Sequence, residues 1–129
     1  MSVEEKNKAM NANLLNDRIH KFIGLAARAG KVVSGNDQVI SELYRNNIKL
    51  ILLAKDASSN TVDKFLKVCK DYLDKGDSKE IVIYSFSSMF ELGNAIGKPS
   101  RAMVAITDEG FVGKLVQMLD QVQEMEGET

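Results

Sequence analysis

The chain has 129 residues, with 17 basic and 18 acidic side chains, a formal net charge of −1, one cysteine, one proline and no tryptophan. That length supports one domain whose core needs neither disulfides nor metals, and 44% hydrophobic with 27% charged residues excludes a disordered or fibrous chain. No run approaches the roughly 20 apolar residues of a membrane span, a lone Cys69 forms no internal disulfide and fits a reducing cytoplasm, and one His with one Cys is not a zinc ligand set.

Residues 1–13 are polar, rich in Asn and Lys, and carry Glu4 and Glu5 without an apolar stretch. They read as a loose extension, not a secretory signal, with Met10 a candidate alternative start. Leu15, Ile19, Phe22, Ile23 and Ala26 then recur at helical spacing, predicting a helix over residues 14–29 stopped by Gly30. A brief strand at 31–34 follows, and Gly35-Asn36-Asp37 reads as a helix start with Val39, Ile40 and Leu43 on the apolar face up to about Asn46.

Residues 49–54 (Lys-Leu-Ile-Leu-Leu-Ala) form a continuous apolar run, the pattern of a strand covered on both faces. Ser58 and Ser59 suit the cap of a helix over 60–75, with Val62, Phe65, Leu66, Cys69 and Leu73 inward and Gly76 as its end. Residues 81–84 predict another short buried strand. Ser88 and Glu91 have capping-box spacing ahead of a helix carrying Phe90, Leu92 and Ile96. The last strand falls at 102–107, Asp108 caps a final helix through about Leu119, and 120–129 is an acidic tail. Short alternating helices and strands predict a three-layer α/β/α sandwich, occupying 14–119, with a sheet of about four strands.

Charge is uneven along the chain. Residues 13–56 hold seven basic against four acidic side chains, a local +3, while 103–129 hold only Lys114 against six carboxylates, a local −5. A pI near 5.8 argues against nucleic acid only for the whole chain, because phosphates respond to a local patch.

Most candidate motifs fail on spacing. Gly24, Gly30 and Lys31 miss the phosphate-loop pattern by one residue, and Val32 stands where a magnesium-binding hydroxyl is required. Gly93 and Gly97 lack the glycine pair of a dinucleotide fingerprint. His20, three residues after Asp17, has no serine or cysteine nucleophile tied to it by spacing and reads as a partly exposed surface group. Cys69 and the phenylalanines read as core, so no aromatic base-stacking platform is expected. The segment from Arg28 to Asp37 remains: cations, a permissive glycine and short polar groups at a helix start, which local physics reads first as an ordinary capped helix and second as a place to hold phosphates and base edges.

Four blocks carry a resemblance: Gly35-Asn36-Asp37-Gln38; residues 45–56 (Arg-Asn-Asn-Ile-Lys-Leu-Ile-Leu-Leu-Ala-Lys-Asp); residues 92–97 (Leu-Gly-Asn-Ala-Ile-Gly); and Val104-Ala105-Ile106. In order and spacing they resemble the ribosomal L7Ae/L30e family of kink-turn RNA-binding proteins. Residues 24–31 (Gly-Leu-Ala-Ala-Arg-Ala-Gly-Lys) and 107–111 (Thr-Asp-Glu-Gly-Phe) look most like its bacterial ribosomal-protein-like branch.

The resemblance implies a non-enzymatic, cytoplasmic protein without a cofactor whose partner is structured RNA, ribosomal or regulatory, and neither DNA nor membrane. It places the base-reading pair of the family, usually Asn then Glu, on Asp37 and Gln38, beside Gly35 and Asn36. It also implies that the loop Lys98-Pro99-Ser100-Arg101 covers a flipped-out nucleotide, and that Arg28, Lys31, Lys98 and Arg101 neutralise phosphates. Two departures stand out. Ser41 and Glu42 occupy the place where the family often has a lysine, and the covering loop is shorter and basic instead of apolar. Losing a cation and gaining a carboxylate weakens phosphate attraction there, and Lys98 and Arg101 offset part of it. Two other readings stay open: an interaction module whose acidic end binds a basic partner, and a detached recognition partner of an RNA-modifying enzyme. The oligomeric state is left open.

Overall fold

The computed structural model describes residues 2–75 and 80–127. Its elements run α1 (Val3–Arg28), β1 (Val32–Ser34), α2 (Asn36–Tyr44), β2 (Leu50–Leu53), α3 (Ser59–Leu73), β3 (Val82–Ser85), α4 (Met89–Ala95), β4 (Met103–Ile106) and α5 (Glu109–Gly127). The strands form one mixed sheet in the order β1-β4-β2-β3, with β2 parallel to β3 and β4 antiparallel to both its neighbours. The parallel pair needs a long crossover, and α3 supplies it.

Strand alternation divides the core in two. Leu50, Leu52, Val104 and Ile106 face Ile19 and Ile23 of α1, Leu92 of α4 and Leu115 of α5. Ile51, Leu53, Met103 and Ala105 face Val39 and Leu43 of α2 and Phe65 and Cys69 of α3. The two central strands are therefore apolar at every position, as a sheet covered on both faces requires. This is the expected three-layer sandwich.

Several elements depart from the sequence reading. Residues 3–13, expected as a loose extension, are the first turns of α1: Ser2 caps it by accepting from the Glu5 amide at 3.1 Å, and Glu4 and Glu5 favour its positive end. These turns are exposed; the cap, and the low cost of propagating from the buried half, extend the helix without an apolar stripe. α5 continues past Leu119 because Val122 prolongs the buried stripe of Leu115, Met118 and Leu119. Much of the acidic tail is thus helical; Glu128 and Thr129 lie outside the described residues.

On α3 the buried stripe is Phe65, Cys69 and Tyr72, leaving Leu66 and Leu73 on its flanks, 41% and 43% exposed, against the expected inward pair. Gly76, expected to end α3, lies outside the described residues. β3 is half-buried because it is an edge strand. Phe90, expected in the core, is 69% exposed.

Candidate functional site

A cleft of about 500 Å³ lies between the start of α2 and the loop that joins α4 to β4, lined by Ser34, Gly35, Asn36, Asp37, Gln38, Lys98, Ser100, Arg101 and Ala102. One wall is a bare helix end. Gly35 takes φ 86°, a left-handed value that favours glycine, and no side chain caps the helix it begins. The first intrahelical bond runs from the Val39 amide to the Gly35 carbonyl at 3.0 Å, so the amides of Asn36, Asp37 and Gln38 have no acceptor within α2. The Gly35 amide donates to the Met103 carbonyl at 3.3 Å, tying this wall to β4.

The other wall is held by close backbone approach. A methyl group on Gly93 would stand 2.0 Å from the Pro99 carbonyl oxygen, so only glycine lets the loop lie on α4. Gly97 turns the chain at φ 71°, and the Lys98 amide donates to the Gly93 carbonyl at 2.9 Å. Arg101 crosses between the walls: its Nε donates to Ser34 Oγ at 3.1 Å, and its Nη1 donates to the carbonyls of Pro99 at 3.2 Å and Ser100 at 3.1 Å. This holds a cation at the rim while its charge stays unmatched by any carboxylate among the described residues.

The cleft therefore brings together Gly35, Asn36, Asp37, Gln38, Lys98, Ser100 and Arg101 of the expected set. Pro99 contributes through its carbonyl and its contact with Gly93. Arg28 and Lys31 are not brought in. Arg28 lines a groove between α1 and α5, and Lys31 lies beyond the opposite end of β1, its Nζ 3.7 Å from Asp108 Oδ2. Ser34 and Ala102 line the cleft unanticipated. Ser34, adjoining the glycine that opens α2, was within reach of the sequence, but its partner Arg101 lies 67 residues away.

His20 has a structural setting that sequence spacing could not supply. Its Nδ1 donates to the Asn16 carbonyl at 2.8 Å, which leaves Nε2 to accept from the Ser87 hydroxyl at 2.7 Å. Ser87 has φ 65°, and the ring packs 4.9 Å from Phe86. The adjoining cavity is only about 80 Å³, too small for a substrate-sized pocket. No group of three metal-ligating side chains occurs among the described residues, and none of their helices is long and apolar enough to cross a membrane.

A family model described as the ribosomal protein L7Ae/L30e/S12e/Gadd45 family matches residues 17–116. The chain is 45% identical over 99 residues to "RNA-binding protein YlxQ" of Bacillus subtilis, covering 77% of this chain and 92% of that protein. It is 32% identical over 120 residues to the protein of the same name from Enterococcus faecium, covering 93% and 99%. Among solved structures, a protein of unknown function from Bacillus halodurans C superposes with a TM-score of 0.68 at 31% identity, covering 79% of this chain and 96% of that one.

Proposed function

Because the chain belongs to the ribosomal protein L7Ae/L30e/S12e/Gadd45 family, we propose that it is a non-enzymatic RNA-binding protein of the cytoplasm that recognises a kink-turn or a related bend in ribosomal or regulatory RNA. One observation carries this reading: uncapped amides and the polar side chains of Asn36, Asp37 and Gln38 face Lys98 and Arg101 across a single open cleft.

The two walls suit different tasks. A bent RNA crowds phosphates that repulsion otherwise keeps apart, and Lys98 and Arg101 offset that repulsion at the rim. The carboxylate of Asp37 accepts only, so it selects exocyclic amino groups on bases and disfavours phosphate at its own position. The Gln38 amide donates and accepts, which matches an adenine edge. Phosphate contacts then set affinity and register, and base contacts set specificity.

The interaction-module reading is weakened by the way the acidic groups are engaged within the chain. Glu126 pairs with Lys55 at 2.9 Å, Glu109 with Lys49 at 3.6 Å, and Asp120 accepts from the Tyr84 hydroxyl. These contacts leave less free charge for a basic partner.

Titration of a kink-turn RNA with the wild-type chain and with the Arg101→Glu, Lys98→Glu and Lys31→Glu variants tests the proposal. Arg101→Glu and Lys98→Glu should each weaken binding about tenfold or more, and Lys31→Glu much less, because Lys31 stands outside the cleft. Undiminished affinity in both cleft variants would refute the assignment.

A further inference from the structure

α1 and α5 pack side by side and leave a trough of about 540 Å³ that is distinct from the cleft. Its lining holds four cations, Arg18, Lys21 and Arg28 from α1 and Lys114 from α5, and no carboxylate. Positions 18, 21, 25 and 28 recur at intervals of three and four, so the three α1 cations and Leu25 share one helix face. Arg18 and Arg28 are separated by about 15 Å along the axis.

Elsewhere the surface neutralises its lysines locally: Lys31, Lys49 and Lys55 each meet a carboxylate. None of the four trough cations forms an ion pair among the described residues; Lys114 instead sits 5.4 Å from the ring centroid of Phe22. Gathering unmatched like charges on one face of a chain whose net charge is −1 raises a local positive potential that only an anion relieves. The side-chain amides of Gln117 and Gln121 add hydrogen-bonding groups, and Phe22 and Leu25 add apolar surface.

One end of the trough lies beside the end of α4, the helix that leads into the cleft loop. A methyl group on Gly24 would lie 3.6 Å from Arg28 Nη1 and 2.8 Å from the Ala95 carbonyl oxygen, so the Arg28 guanidinium and the C-terminal end of α4 flank the same glycine. From Ala95 the chain passes through Gly97 into Lys98 and the cleft loop.

We propose that the trough binds the sugar–phosphate backbone of an RNA strand leaving the cleft, so that the protein holds the flanking stem as well as the bend. The inference rests on the RNA-binding reading above. A polyanion with regularly repeated charges fits cations strung along a helix, and the close packing of α1 on the end of α4 at Gly24 sets the Arg28 end of that row beside the segment leading into the cleft loop.

The test uses the full chain and two probes: a kink-turn RNA trimmed close to the bend, and the same RNA with one stem lengthened by about ten base pairs, long enough to pass four phosphate-facing cations. Each is titrated with wild type and with the Arg18→Gln/Lys114→Gln double variant over a range of salt. The variant should bind the trimmed RNA as wild type does, which also shows that it is folded. It should bind the lengthened RNA about tenfold more weakly, with a log–log salt slope shallower by about two. Unchanged affinity for the lengthened RNA overturns the proposal and leaves an acidic protein segment as the trough's occupant, while the cleft reading stands. Equal loss on both RNAs also overturns it, because the effect is then not specific to the flanking stem. Failure of wild type to bind either RNA removes both readings together.

Discussion

The Nε of Arg101 donates to Ser34 Oγ across 3.1 Å, joining the loop after α4 to the last residue of β1. The two residues stand on opposite walls of the cleft, so this bond fixes both the width of the cleft and the direction of its cation. Ser34→Ala leaves the guanidinium tethered only to its own loop through the carbonyls of Pro99 and Ser100. We expect RNA affinity to fall severalfold and stability by about 1 kcal/mol, the ordinary worth of one hydrogen bond. RNA titration and urea unfolding of the same variant check both numbers.

Two glycines should respond to alanine with opposite signs. Gly93→Ala drives a methyl group into the backbone of Pro99, so the loop must lift; a loss of about 1–3 kcal/mol with weakened RNA binding is expected. Gly113, on the exposed side of α5 with open space around it, should gain about 0.5–1 kcal/mol on the same change, because alanine loses less backbone entropy in a helix. Thermal unfolding of the two variants side by side measures the contrast.

Burial pushes the Cys69 thiol up to about 11, and desolvation, with the hydrogen bond to Asp120 and its charge, pushes Tyr84 up to about 12. Raised values in the fold mean that the unfolded chain releases these protons first. Their contribution to stability is therefore complete below about pH 9, and it is lost as pH rises through the thiol value and then the phenol value. Iodoacetamide should label Cys69 slowly at pH 8 in the folded chain and rapidly in urea; fast labelling of the folded protein would contradict its burial. Tyr84→Phe should flatten the alkaline loss of stability above pH 10, read by urea unfolding across that range.

Ser87→Ala removes the donor to His20 Nε2 and leaves that nitrogen without its partner in a half-buried site. A loss of about 1–2 kcal/mol is expected, with RNA affinity unchanged because the pair lies outside the cleft. Chemical denaturation and RNA titration separate the two effects.

What the sequence makes legible follows from the range of the forces involved. The strands β2 and β4 are continuous apolar runs, and the caps Ser58 and Ser88 sit three residues before the amides they bind, at Thr61 and Glu91. Such local signals are complete within a few residues. The cleft is half legible: Gly35 and the polar residues after it announce a helix start, while the loop at Lys98–Arg101 is legible only through resemblance. Its closure through Ser34 and Arg101, and the pairing of His20 with Ser87, span 67 residues each and depend on the packed sheet. Arg28 and Lys31 show the converse, nearness in sequence without a place in the cleft. They are near Gly35 in sequence, but β1 carries the chain away from them, and Lys31 ends beside Asp108. Hydrophobicity alone places Leu66, Leu73 and Phe90 inward, but it does not say how wide a helix's buried stripe is; on α3 Phe65, Cys69 and Tyr72 suffice to cover the sheet.

Titration of the wild-type chain against a kink-turn RNA and a plain duplex of the same base composition, at two salt concentrations, decides whether the cleft reads a bend in RNA. Selective binding to the kink-turn is the expected result, weakening as salt rises because Lys98 and Arg101 displace counterions from phosphates. Equal affinity for the two RNAs, or binding that salt leaves unchanged, would contradict it.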